Sequence, residues 1–153
     1  MKPVEFFKSL PVSVKNDPIK FGNLDGYELA APESFWNTEI DTRQVVINGC
    51  GPGGFGDYLI PDTVYFMSIK SACKIHDWMF LVFNTDEGFE LANQIFLDNM
   101  RRINNTYTKT KVLKFVRDRR IKKYYYAVRD FGRLFFYDNH IHLYDYDKIY
   151  VKK

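Results

Sequence analysis

The chain has 153 residues, 46% of them hydrophobic and 18% aromatic, which suits one domain with a buried core and excludes a disordered segment. Its net charge of +3 hides an asymmetry: residues 1–100 hold 7 Lys/Arg against 14 Asp/Glu, whereas residues 101–133 hold 12 against 2. The N-terminus lacks the apolar core and cleavage pattern of a signal peptide, and the longest run of large apolar residues, Trp78 to Phe83, is too short to span a bilayer, so a soluble protein is expected.

In residues 1–47, Pro3, Pro11, Pro18, Pro32 and the turn Asn23-Leu24-Asp25-Gly26 punctuate the chain, and short strands and loops are expected. Thr42 to Ile47 reads as a short strand that feeds a loop with four glycines among the six residues Gly49 to Gly54. After Pro61-Asp62 the pattern turns helical: Ile69, Ala72, Cys73, His76 and Phe80 recur at spacings of three and four and share one face. A second helix is expected from Thr85 or Asp86, either of which can cap it, with Phe89, Ala92, Ile95, Phe96, Met100 and Ile103 facing inward. The short connection between the two helices makes them antiparallel neighbours.

The polar run Asn104 to Thr108 reads as a break before a third, basic helix over roughly residues 109–131, with Leu113, Val116, Tyr124, Ala127, Phe131 and Leu134 as its inner stripe and Gly132 near its end. The basic segment suits an anionic partner, or else neutralises the acidic half of the chain. The aromatic, alternating tail with its Tyr-Asp-Asn turn predicts a C-terminal β-hairpin. On a strand, His140 and His142 would share one face, a pattern open to metal binding but commoner as exposed histidines. Tyr124 to Tyr126 and Phe135 to Tyr137 suit either a lipid-facing surface or a core.

The glycine loop and the His76-Asp77 pair together suggest a chemistry. Glycines let a backbone turn its carbonyls inward, and carbonyl oxygens with one carboxylate suit Ca²⁺. Asp77 can supply the carboxylate, and His76 can act as a general base on water while the cation polarises an ester carbonyl. A phosphate cradle is the alternative, although the Lys-Ser/Thr ending of a P-loop is absent. Cys50 and Cys73 are too few for a disulfide scaffold and lack zinc spacing.

The segments Cys-Gly-Pro-Gly-Gly (Cys50 to Gly54) and Ala-Cys-Lys-Ile-His-Asp (Ala72 to Asp77) resemble the calcium loop and catalytic helix of secreted phospholipase A₂, a pattern shared by the phospholipase domain of parvovirus capsid proteins. The resemblance implies that the carbonyls of Gly49, Gly51 and Gly53 and the carboxylate of Asp77 hold Ca²⁺. It makes His76 the base and the Gly51 N–H an oxyanion donor. It also places Cys50 and Cys73 where the family joins loop to helix by a disulfide. The family's supporting Asp on the next helix corresponds to Asn93, which can orient the ring but brings no negative charge, so slower proton transfer is expected. The aromatic that braces the pair, usually Tyr, corresponds to Phe80.

A second resemblance, carried by the His-Asp helix, by Leu91 to Ile103 and by Tyr124 to Phe136, is to a poorly characterised family of phage and prophage proteins. The expected fold is α+β and mainly helical: two antiparallel helices with a calcium loop, a third basic helix, short peripheral strands and a C-terminal β-hairpin. One domain is expected, with an N-terminal strand and loop region (1–47), a phospholipase A₂-like core (48–136) and a β tail (137–153). The expected function is calcium-dependent phospholipase A₂-like ester hydrolysis on phospholipid or an anionic membrane surface. The rival is a non-catalytic, virion-associated structural protein of a phage particle that contacts other virion proteins. Nucleic acid is the weakest of the partners, since residues 101–133 carry no recognised binding motif.

Overall fold

The computed structural model describes residues 17–40, 61–83 and 85–150, with side chains through Arg133. Strands β1 (Ile19–Leu24) and β2 (Tyr27–Pro32) form an antiparallel hairpin in which Ile19 faces Pro32 and Leu24 faces Tyr27. The turn expected at Asn23 to Gly26 closes it: Asp25 and Gly26 take φ values of 54° and 89°, the left-handed pair that suits the twist of a two-residue hairpin. The Asn23 side chain accepts a hydrogen bond from the Gly26 N–H at 3.2 Å.

A one-turn helix, α1 (Glu33–Asn37), follows directly. Asp17 is buried, yet its carboxylate is satisfied by the backbone N–H and hydroxyl of Ser34. The same hydroxyl oxygen accepts from the indole N–H of Trp78 at 3.0 Å. A chain of three polar groups therefore ties α1 to the helix carrying the candidate site.

Strands β3 (Thr63–Val64) and β4 (Met67–Ser68) form a second, two-residue-turn hairpin. Helices α2 (Lys70–Val82), α3 (Asp86–Tyr107) and α4 (Lys111–Tyr150) complete the architecture. The architecture is mainly helical α+β with two small antiparallel strand pairs among the described residues, whose Leu29, Ala30, Ala31, Val64 and Met67 enter the core where peripheral strands were expected. No helix among the described residues is long and apolar enough to cross a membrane.

Helix α3 is the hub, packing on α2, α4 and β2. Its inner set matches the sequence pattern: Phe89, Ala92, Ile95, Phe96, Met100 and Ile103 are all buried. Thr85 caps it, its hydroxyl accepting from the Gly88 N–H at 3.0 Å. Pairs across α2 and α3 widen in sequence as they leave the connection, Phe80 with Phe89 and then His76 with Asn93, so the helices are antiparallel.

Residues 29–35 share one core with the helices, through Leu29, Ala30, Ala31 and Phe35. Asn99, wholly buried on α3, accepts from the Ala30 N–H and donates to its C=O, both at 2.8 Å. One amide thus substitutes for a missing neighbour strand at the edge of β2.

The helix expected to follow Pro61-Asp62 begins at Lys70, because residues 63–68 form the β3–β4 hairpin; three further expectations are corrected. Among the described side chains the buried stripe of α4 holds Arg117, Ile121, Tyr124 and Val128; of the expected stripe Tyr124 is buried and Ala127 packs half-buried on the core, whereas Leu113, Val116 and Phe131 are exposed. Arg117 causes the rotation: its guanidinium donates to the carbonyls of Val64 and Tyr65, at 3.3 and 2.7 Å, and to the Thr108 hydroxyl at 2.9 Å. The expected break at Asn104 to Thr108 lies mostly inside α3, which runs to Tyr107. The Asn104 amide spends its polar groups on the Lys114 carbonyl and the Thr108 hydroxyl, at 3.0 and 2.7 Å, and so joins the helices instead of interrupting one.

The third correction concerns the tail. In place of a C-terminal β-hairpin, α4 continues to Tyr150, past Gly132. Extending a formed helix fixes one residue per added hydrogen bond, and no Pro or Gly follows Gly132 to stop it. Positions 140 and 142 therefore lie about 200° apart around a helix, not on one strand face.

Candidate functional site

The site is built where α2 and α3 face one another. Helix α2 is covered on most of its circumference, with Ala72, Ile75, Trp78, Met79 and Phe80 all buried, so a polar residue on it can point into the core. His76 does so and is 2% exposed. Its ring lies between Phe80, with centroids 4.1 Å apart, and Phe96, at 4.5 Å. The expected aromatic, Phe80, thus braces the ring from one turn along α2. Phe96, expected from its spacing only as a core residue, sits one turn beyond Asn93 on the same face of α3, a spacing that also marks it as a neighbour of the His76 ring.

Asn93, wholly buried on α3, places its Oδ1 2.9 Å from His76 Nε2. The amide oxygen accepts, so Nε2 carries the proton and Nδ1 is the lone-pair nitrogen of the neutral ring. Burial pushes the imidazole pKa down from 6.5 to about 4, and the hydrogen bond to Asn93 opposes this only in part. The ring is therefore neutral at pH 7. The amide nitrogen of Asn93 is a buried donor without a partner among the described residues. A carboxylate at this position would have no such donor, and would hold the ring protonated to a higher pH.

Asp77 follows His76 and so points about 100° away around the helix, at the half-buried edge of the core. Cys73, one turn before His76, is half-buried against the same core. The remaining members of the expected site, Gly49, Cys50, Gly51 and Gly53, and the strand expected at Thr42 to Ile47, lie outside the described residues. His76, Asp77, Asn93 and Cys73 are therefore the part of the expected constellation that the structure places.

The donor chemistry for Ca²⁺ can be tested on this part. Among the described residues no cluster of three His, Cys, Asp or Glu side chains forms a metal site. The expected set draws only one side chain, the hard carboxylate of Asp77, and takes its other protein donors from backbone carbonyls. Asp77, kept out of the core while His76 enters it, fits that single role.

Sequence reasoning missed Arg117 as a structural residue. It is 6% exposed and, among the described residues, has only neutral acceptors, with its charge above the Tyr107 ring at 5.3 Å. An arginine in a basic run gives no pattern that separates it from its solvated neighbours. No family model matches the chain, and no curated protein or solved structure matches it.

Proposed function

We propose that the protein carries a phospholipase A₂-like site for calcium-dependent hydrolysis of phospholipid esters. The observation that carries this is the buried hydrogen bond between His76 on α2 and Asn93 on the antiparallel α3, 2.9 Å long and braced by Phe80. In this reading Asn93 fixes the Nε2–H tautomer, and Nδ1 of His76 takes the proton from the attacking water. Asp77 and the carbonyls of Gly49, Gly51 and Gly53 would hold Ca²⁺, with the Gly51 N–H directed at the developing oxyanion. When bound, the cation supplies Lewis-acid polarisation of the ester carbonyl. The neutral Asn93 steadies the ring but lends no charge to the imidazolium formed during proton transfer.

One observation favours a second reading, a non-catalytic scaffold of the kind found in phage structural proteins. An imidazole packed between two phenylalanines with a pKa of about 4 is a weak base and serves equally as a core residue. Release of fatty acid from a fluorogenic phospholipid separates the two, measured with Ca²⁺ or EGTA on the wild type and on His76→Gln, with circular dichroism to verify folding. Hydrolysis abolished by both EGTA and His76→Gln supports the enzyme. Hydrolysis that is absent, or indifferent to both, supports the scaffold. Calcium titration calorimetry on Asp77→Asn tests the metal role separately.

A further inference from the structure

We propose that the tip of the β3–β4 hairpin and the adjoining face of α4 form a docking surface for bilayers rich in anionic phospholipid. The first observation is conformational. Tyr65 and Phe66, the two residues of the hairpin turn, have φ values of 44° and 68°. Asn and Gly adopt that backbone readily, whereas bulky residues are strained in it, and such outliers cluster at functional positions. The strain gives Phe66 no packing in return, since it is 95% exposed.

The second observation is that the strained turn is fixed to α4. Arg117 donates to the carbonyls of Val64 and Tyr65, and the Tyr124 hydroxyl donates to the Thr63 carbonyl at 2.9 Å. The aromatic tip is thus held rigidly beside the exposed side of α4, and between them lies a groove of about 220 Å³ lined by Tyr65, Phe115, Val116, Arg119, Arg120 and Lys123. Its apolar members continue along α4 to Val112, which is 77% exposed.

The third observation is charge. Arg101, Lys122, Arg129 and Arg133, all on α3 or α4, have carboxylate partners within 4.0 Å. Arg119, Arg120 and Lys123 have none among the described residues. Arg119 and Arg120 instead lie above aromatic rings, Phe115 at 5.9 Å for the first and Tyr65 at 5.8 Å for the second. A groove of aromatic, aliphatic and unneutralised cationic side chains, with Phe66 projecting from the turn that supplies Tyr65 to it, matches the boundary between lipid headgroups and acyl chains. A nucleic-acid strand would complement the cations and could stack on Phe66, but it would leave the exposed Val112, Leu113 and Val116 without a partner, because they have no π-face. Docking here is independent of whether His76 acts as a base.

Sedimentation with sucrose-loaded vesicles tests this in EGTA, so that calcium-dependent turnover cannot contribute. Wild type should bind phosphatidylcholine vesicles containing phosphatidylserine, bind pure phosphatidylcholine at least tenfold more weakly, and release as salt rises. Arg119→Gln combined with Lys123→Gln should weaken binding about fivefold per charge removed. Phe66→Gly should weaken binding while raising the denaturation midpoint, because glycine relieves the strained turn; a merely structural Phe66 would not move vesicle binding. The proposal is overturned by no binding to anionic vesicles, by binding indifferent to these variants, or by variant-sensitive binding of a single-stranded oligonucleotide in the absence of vesicle binding.

Discussion

Acidification should unfold this protein through His76, and the size of the effect follows from its burial. The unfolded chain takes up a proton near pH 6.5, whereas the folded ring resists protonation to about pH 4. Between those values the unfolded state binds more protons, so stability falls as the pH falls. The loss is absent above about pH 6.5, runs to about 1.4 kcal/mol per pH unit within the window, and ends near pH 4, reaching about 3 kcal/mol in total. That is a large fraction of the 5–15 kcal/mol typical of a domain. Urea unfolding followed by circular dichroism at pH 7.5, 6.5, 5.5 and 4 measures the total, to which carboxylates also contribute. His76→Gln isolates the histidine, because glutamine keeps an amide donor for Asn93 Oδ1 but does not titrate. Wild type should therefore lose about 3 kcal/mol more than His76→Gln between pH 7.5 and 4. Parallel curves would show that the ring titrates near its ordinary value, and the buried, neutral imidazole would be refuted.

Asn93→Asp should raise the His76 pKa by roughly 1–3 units through a carboxylate at hydrogen-bond distance, so the share of the acid-induced loss due to His76 shrinks as its folded pKa approaches the unfolded value. The ring-proton shifts of His76 in NMR measure this, and the same variant should speed any calcium-dependent hydrolysis at pH 7. Asn99→Leu strands the buried N–H and C=O of Ala30 and should cost about 3 kcal/mol in a denaturation experiment. Gly22→Ala should cost about 1–2 kcal/mol, because a Cβ there would lie 2.9 Å from three atoms of the Trp36 ring. Displacement of that ring should also change the tryptophan emission, while an unchanged spectrum and stability would mean the ring moves freely.

The parts of the fold legible in the sequence are those where apolar periodicity and capping agree. Helix α3 begins at its Thr85 cap and buries every residue its spacing nominated. The illegible parts are those where a polar side chain is buried because it matches main-chain groups. Asn99 and Asp17 look like surface residues, yet one completes an edge of β2 and the other holds the first turn of α1. Arg117 does the same for the β3–β4 hairpin and in doing so rotates α4, so that Leu113 and Val116, which a hydrophobic count sends inward, face outward. In the site, the helical spacing put His76 and Phe80 on one face, and the resemblance nominated Asn93. The depression of the His76 pKa depends on two rings packing on it from different helices, which no local pattern encodes.

Asn93 links the stability of this core to the chemistry it can support. A carboxylate facing His76 at this depth would create a buried ion pair whenever the ring took a proton, and removing two charges from water costs several kcal/mol per ion before their attraction offsets it. The amide avoids that cost, since both partners are neutral at pH 7 and the pair sits in a core that also holds Phe80, Phe89 and Phe96. The same neutrality makes the imidazolium unstable here, so a proton taken from water would be held weakly and passed on quickly. A site of this kind places more of the work of stabilising charge on groups at the core's edge, where Asp77 lies, than on the histidine pair itself. The amide nitrogen of Asn93, without a partner among the described residues, is the donor that a carboxylate would replace with an acceptor, and its burial is a cost the neutral pair carries.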